Sequence, residues 1–315
     1  MHTLAFDIGG TKIAGAVCDE NDEIVKRWRV ATPADADAIN NAMAKVYREA
    51  TAEFDDIEHI GISAAGNVAA DRRTVSFGAN IPAWLNYPLA DKLEALVDHK
   101  ATVVVENDAN CAGWGEFVHG AGQGSTNMVM LTIGTGLGGA IIINGELLRG
   151  SYGMAAELGH LPMVPNGVVC GCGLSGCAER YVSGTALEDF AKGAIRRNPA
   201  TGKRLLELCG GDVDALEGHM VSQAVADGDE AAKYAFEMVG QWLGRTAAAI
   251  SAVIDPDRYV IGGGVVAMGD VLLEPARATY VQYLQASAYR PHAVIVPAEA
   301  GGEAGLIGAA NLARR

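Results

Sequence analysis

Basic runs are missing from this chain. Lys and Arg number 24 against 38 Asp and Glu, giving a formal net charge of −14 and a pI near 4.9. Without a cationic face, neither nucleic acid nor an anionic membrane surface is expected as the main partner. Long apolar runs are missing too: no stretch reaches the roughly eighteen residues that a membrane span needs. The N-terminus opens on strand-like Leu-Ala-Phe-Asp-Ile, without a basic leader or an apolar signal core. A soluble cytoplasmic chain with neither signal peptide nor span is therefore expected. Coiled-coil repeats, low-complexity segments and an appended DNA-binding helix pair are also lacking. Cysteine is sparse, at six, yet three of the six, Cys170, Cys172 and Cys177, crowd into one short stretch. In a reducing compartment that crowding favours metal over disulfide.

What is present is a globular balance, 50% hydrophobic and 20% charged over 315 residues, long enough for two domains. Glycine is abundant, 40 residues against a usual share of about 7%. The glycines gather in a few loops, which points to backbone approaching a ligand.

Strands are predicted over Leu4–Asp7, Ile13–Val17 and Ile24–Val30. A helix is predicted to start near Thr32 and Pro33, with Ile39, Met43, Val46, Ala50 and Phe54 on one face. Strand Ile57–Ile62 follows, then a hairpin near Thr74–Phe77, a helix, and strand Val103–Val105. After a helix to about Val118, the pattern restarts with strands Met128–Ile133 and Gly138–Ile143. Helices are expected over Ser175–Tyr181, Ala186–Arg197, Asp229–Ile254, 271–286 and Glu303–Ala313, and strands over Arg258–Ile261 and Ala293–Val296. Gly9-Gly10-Thr11 thus joins two strands and is not the strand-to-helix turn of a P-loop or dinucleotide fingerprint. A second glycine turn, at Gly134-Thr135-Gly136, opens the second half in the same way. Two such hairpins imply two similar domains facing one another. Either hairpin could present N–H groups to phosphate, or simply be a tight turn.

The stretch Val103–Cys111, VVVENDANC, delivers Glu106, Asn107, Asp108 and Asn110 at the mouth of a buried strand. There Asp108 could take a proton from a hydroxyl that Asn107 holds. Taken alone, the stretch reads more readily as a helix cap, a duty that Asp and Asn perform well.

Five segments in register decide between these readings: DIGGTK at 7–12, ENDAN at 106–110, IGTGLGG at 133–139, AAELGH at 155–160 and CGCGLSGCAE at 170–179. Together they resemble the ROK sugar kinases, closest to bacterial ATP-dependent glucokinases, over essentially the whole chain. The resemblance implies an α/β fold of two ribonuclease-H-like domains, of the actin and hexokinase ATPase type, flanking a cleft. The expected division is a smaller domain at 1–118 plus 300–315 and a larger one, with the cysteine loop, at 119–299. The implied reaction is ATP-dependent phosphorylation of the glucose 6-hydroxyl, with Asp108 as general base. The sugar would be held by Gly66, Asn80, Asn107, Asp108, Glu157, His160 and Glu179. ATP would be held by Gly10, Thr11, Lys12, Thr135 and Gly136 at its phosphates and by Gly262, Gly263 and Gly264 beside adenosine. Asp7 would anchor Mg²⁺ through water.

His160, Cys170, Cys172 and Cys177, spaced H-x9-C-x-C-x4-C, offer four ligands for a closed, structural zinc site. Cys18, Cys111 and Cys209 lack such partners and are expected in the core. Two positions depart from the family pattern, Ala65 where proline is common and Ala178 where an aromatic often precedes the glutamate. A kinase for N-acetylmannosamine, N-acetylglucosamine or fructose is the alternative within the class. Polyphosphate is an alternative donor. A sugar-responsive repressor is disfavoured, since DIGGTK starts at residue 7 and leaves no DNA-binding segment ahead of it. A homodimer or homotetramer is expected from the resemblance.

Overall fold

The computed structural model describes residues 1–78 and 81–315. The chain divides into two compact units, one formed by Met1–Thr126, Ala140–Ala156 and Ala298–Arg315, the other by Asn127–Gly139 and Glu157–Pro297. The expected boundary put everything from 119 to 299 in the second domain. Two tethers explain why Ala140–Ala156 goes with the first. Arg149 bonds Glu106, and Gly153, at φ +81°, lies so close to Val68 that an added Cβ would stand 2.3 Å from its carbonyl oxygen.

The first unit opens with strands β1 (Thr3–Ile8), β2 (Lys12–Cys18) and β3 (Ile24–Ala31), then helix α1 (Ala36–Thr51) and strand β4 (His59–Ala64). A small sheet of β5 (Asn67–Val68), β6 (Val75–Phe77) and β7 (Leu85–Tyr87) precedes α2 (Leu89–Leu96), β8 (Thr102–Asn107) and α3 (Asp108–His119). The main sheet runs β3-β2-β1-β4-β8. Its hairpin strands are antiparallel, while β1, β4 and β8 are parallel and share a carboxyl end. α1 starts later than Pro33 suggested, because the Asp35 carboxylate accepts the amide of Ala38 and caps it there. Its expected apolar face is real: Ile39, Met43, Val46 and Ala50 are buried against Leu4, Phe6, Ile60 and Ile62.

The chain continues with β9 (Met128–Ile133), β10 (Leu137–Ile143) and β11 (Glu146–Leu147). α4 (Gly184–Arg197), α5 (Lys203–Leu208), α6 (Gly218–Ala226), α7 (Glu230–Ile254), β12 (Arg258–Gly262), α8 (Asp270–Tyr283), β13 (Val294–Pro297) and α9 (Ala304–Ala313) follow. The second sheet, β11-β10-β9-β12-β13, repeats the strand order of the first, with β9, β12 and β13 parallel. α5 and α6 were not expected from sequence. The helix expected at Ser175–Tyr181 is only a single 3-10 turn at Ala178–Arg180. Gly173 and Gly176, at φ +91° and +79°, turn the preceding chain the other way. Ala286 lies beyond α8, in a left-handed conformation at φ +55°.

Glycine sets the closest helix packing. Cβ atoms added at Gly308 of α9 and Gly115 of α3 would stand 1.8 Å from the Cys111 oxygen and 2.1 Å from the Ala304 oxygen, so these two helices touch backbone to backbone. Gly240 and Gly244 of α7 do the same against Leu272 and Ala276 of α8. Cys18, Cys111 and Cys209 are buried, as expected. Burial pushes the Cys18 thiol up to about 12. Among the described residues, no helix is long and apolar enough to cross a membrane.

Candidate functional site

In the first unit the polar residues lie in one row across the carboxyl ends of the parallel strands. Asp7 of β1 pairs in register with Ser63 of β4, and Ser63 with Glu106 of β8. The Ser63 hydroxyl donates to Asp7 Oδ1 at 2.6 Å. One residue further along, β8 ends at Asn107 and α3 begins at Asp108. The cap reading of VVVENDANC falls on Asn107, whose Oδ1 accepts the amide of Asn110 at 3.0 Å. Asp108 is left in the first turn of α3. Its Oδ1 accepts the amide of Ala109 at 2.9 Å and Asn107 Nδ2 at 3.0 Å. Asn107 Nδ2 also donates to the Gly66 oxygen at 3.1 Å. Gly66 has a packing reason to be glycine, since a Cβ would meet the Phe77 oxygen at 2.4 Å. Asn80 lies outside the described residues.

Beneath this stretch is a group the motif reading passed over. Glu106 is 3% exposed. Its Oε1 accepts the amide of Asn107 at 3.1 Å and Asn110 Nδ2 at 3.0 Å, and its Oε2 accepts Arg149 Nε at 2.6 Å. Arg149 sits 43 positions along the chain, so no local spacing could announce it.

The first hairpin turns at Gly10 and Thr11, closed by the Gly9 amide donating to the Lys12 oxygen at 3.0 Å. Thr32, just past the end of β3, steadies it: its amide donates to the Thr11 oxygen at 3.1 Å and its hydroxyl to the Gly9 oxygen at 2.7 Å. Gly10, Thr11 and Lys12 are exposed at its tip, as a phosphate-binding turn requires.

In the second unit the hairpin Gly134-Thr135-Gly136 is held from below by the start of α4. The Gly184 amide donates to the Gly134 oxygen at 2.7 Å and the Thr185 hydroxyl to the Thr135 oxygen at 3.0 Å. Gly262 ends β12 beside Thr132 of β9. Gly263, at φ +92°, fits so tightly that a Cβ would stand 2.3 Å from the Ile133 oxygen. The two glycine loops are therefore neighbours in this unit.

The cysteine loop assembles as the spacing predicted. The donor atoms of His160, Cys170, Cys172 and Cys177 all lie within 4.8 Å of one another. His160 Nδ1 is 3.8 Å from Cys170 Sγ, and the sulfurs of Cys172 and Cys177 are 3.7 Å apart. Ligands about 2.3 Å from a tetrahedral ion lie about 3.8 Å apart along an edge, so the four fit such an ion. Burial raises the Cys170 thiol, and it pushes Cys177 up to about 12, while the backbone amide of Leu174 lowers Cys172. Glu157 and His160 bracket a 3-10 turn, the His160 amide donating to the Glu157 oxygen at 3.1 Å.

Glu179 was expected only as a sugar ligand, and it also joins two parts of this unit. Its Oε2 accepts the amide of Leu137 at 3.1 Å, and its Oε1 lies 3.5 Å from Cys170 Sγ. The glycine hairpin and the cysteine loop are thus tied through one carboxylate.

Residues 3–315 match the ROK family. The glucokinase of Streptomyces coelicolor is 43% identical, covering 99% of this chain and 97% of its own. An N-acetylmannosamine kinase from Escherichia fergusonii is 33% identical, covering 100% and 99%. Among solved structures, a ROK family glucokinase from Streptomyces griseus in complex with glucose and AMPPNP matches with a TM-score of 0.85 and 44% identity, covering 100% of this chain and 99% of that one.

Proposed function

The chain belongs to the ROK family, and from that premise we propose that it is a hexokinase-type phosphotransferase that moves the γ-phosphoryl group of ATP to the 6-hydroxyl of glucose. The observation that carries this reading is Asp108: a carboxylate at the end of a parallel strand, held in one orientation by Asn107 and Ala109 at a helix N-terminus. Open α/β sheets take their ligands at that edge, and an oriented carboxylate is what an attacking hydroxyl needs. Glucose is favoured by the glucokinase relatives at 43 and 44% identity.

Phosphoryl transfer asks little bond-making of a protein, so positioning and charge stabilisation dominate. Asp108 takes the proton of the sugar hydroxyl as it attacks. Asn107 holds a neighbouring hydroxyl, and Gly66 lets backbone approach the ring. Glu157, His160 and Glu179 are assigned as further sugar ligands by motif position. The amides of Gly10, Thr11, Thr135 and Gly136 and the Lys12 ammonium receive phosphate oxygens, with Gly262, Gly263 and Gly264 beside adenosine. Mg²⁺ would neutralise phosphate charge, and Asp7, which accepts the Ser63 hydroxyl, would hold its water shell. Zinc in the His160, Cys170, Cys172 and Cys177 cluster would be structural, since four protein ligands leave no open position.

A coupled assay crossing glucose, N-acetylmannosamine, N-acetylglucosamine and fructose with ATP and polyphosphate tests the reading. Glucose with ATP is expected to give the highest kcat/KM; a clear preference for N-acetylmannosamine, as the 33% relative suggests, would move the assignment to that sugar. In the same assay Asp108→Asn is expected to lower kcat by about 10²–10⁴. Retention of more than about a tenth of the wild-type rate refutes the base.

A further inference from the structure

In the first unit a pocket of about 310 Å³ opens between Arg72, Arg149 and Arg315, with the Trp114 ring and Glu146 in its wall. No residue assigned above to sugar or nucleotide lines it. Arg315 is already engaged: its guanidinium lies 4.7 Å from the Trp114 ring centre and donates to Glu146 at 3.1 Å. Arg72 and Arg149 are differently placed, because both turn to the single carboxylate of Glu106. Arg149 holds it at 2.6 Å. Arg72 Nε stands 3.8 Å from it, beyond hydrogen-bonding distance, and is buried without a hydrogen-bond partner.

Arg72 is also built into place. Its Nη2 donates to the Leu312 oxygen at 3.1 Å and its own carbonyl accepts the Val105 amide at 2.9 Å, while its backbone is left-handed at φ +55°. Burial first, and then the neighbouring Arg149, hold its pKa below the ordinary guanidinium value. Two fixed cations thus share one anion beside an open cavity, and one negative charge would balance them.

We propose that this pocket is an oxyanion site that takes inorganic phosphate, or the phosphate of a monoester, between Arg72 and Arg149. Guanidinium forks match the spacing of phosphate oxygens and hold them bidentately. Such an anion would share Arg149 with Glu106. Glu106 carries the Asn107 amide and the Asn110 side chain, so occupancy would reach the segment that presents Asp108.

Binding is read without the kinase activity, so failure here and failure of the proposed function are separable. Thermal melting of the full chain is compared in phosphate, in glycerol 1-phosphate and in chloride at equal ionic strength. With either phosphate about tenfold above its dissociation constant, the wild type is expected to melt about 2–3 °C higher than in chloride. Arg72→Met is expected to lose at least half of that rise. Arg72→Lys, which keeps the charge and loses the fork, supplies the same comparison if the methionine variant melts too low to read. A rise with inorganic phosphate alone makes the free ion the ligand, and a rise with the ester alone makes it the ester. Hydrogen exchange at the amides of 107–110 is expected to change with phosphate in the wild type and not in the Arg72 variants. No rise over chloride, or a rise undiminished in both Arg72 variants, places phosphate elsewhere and overturns the proposal.

Discussion

Gly136→Ala offers a test of how the cysteine loop and the second glycine hairpin are joined. The added methyl would stand 2.2 Å from Glu179 Oε2, far inside van der Waals contact. The other party is the free end of a carboxylate, so the side chain would yield before the backbone. Yielding costs the hydrogen bond that Oε2 accepts from Leu137 N. Bonds to a charged acceptor contribute about 1.5–3 kcal/mol, and partial exposure places this one near the low end. At about 1.4 kcal/mol per decade, the hairpin should lose roughly tenfold in its hold on nucleotide, read as a higher KM for ATP in the coupled assay. Glu179→Ala alone should raise that KM similarly. The double variant Gly136→Ala/Glu179→Ala is decisive: if the methyl acts by displacing Glu179, the effects will not add. A KM within twofold of wild type in Gly136→Ala refutes the reasoning; full additivity in the double variant refutes it as well and leaves a direct clash with phosphate as the explanation.

Three other outcomes are expected. Elemental analysis of the purified chain should give about one zinc per chain, and Cys172→Ser should release metal and lower the melting temperature; full stability in a metal-free preparation would contradict a structural ion. Gly308→Ala places a methyl 1.8 Å from the Cys111 carbonyl oxygen, where no side chain can move aside, so urea unfolding should show a loss of more than about 3 kcal/mol. A loss under about 1 kcal/mol would mean that α9 shifts freely on α3. Glu106→Gln keeps an acceptor for the Asn107 amide but removes the charge facing Arg149 and Arg72, so a moderate loss of stability is expected, smaller than for Glu106→Ala, with the order checked by thermal melting.

Elements with strong local patterns were legible from the residues. β1, β2 and β3 carry β-branched and apolar runs broken by a glycine turn and then by the acidic turn Asp19–Glu23, and α1 and α7 carry long apolar faces capped by Asp35 and Asp229. The cysteine loop was legible because metal-ligating residues follow a characteristic spacing, and the folded chain brings these four donors together, with separations of 3.7 and 3.8 Å. Where local rules failed, tertiary contact had overridden them. Ser175–Tyr181 has helix-compatible residues, yet the donor set needs turns, and Gly176 packs where a Cβ would strike the Val164 oxygen at 1.7 Å. α5 and α6 are short helices whose apolar residues repeat too few times to be recognised.

The sequence by itself determined the chemistry on offer: which carboxylates, amides, glycines and thiols exist, and at what spacing along the chain. Only the tertiary structure decided which of them meet. It made Asn107 the cap and left Asp108 free of that duty, put Glu106 beneath both, and brought Arg149 to Glu106 and Glu179 to Leu137. Motifs are local and periodicity reaches only a few turns, whereas a buried carboxylate must find its counter-charge wherever the folded chain brings one.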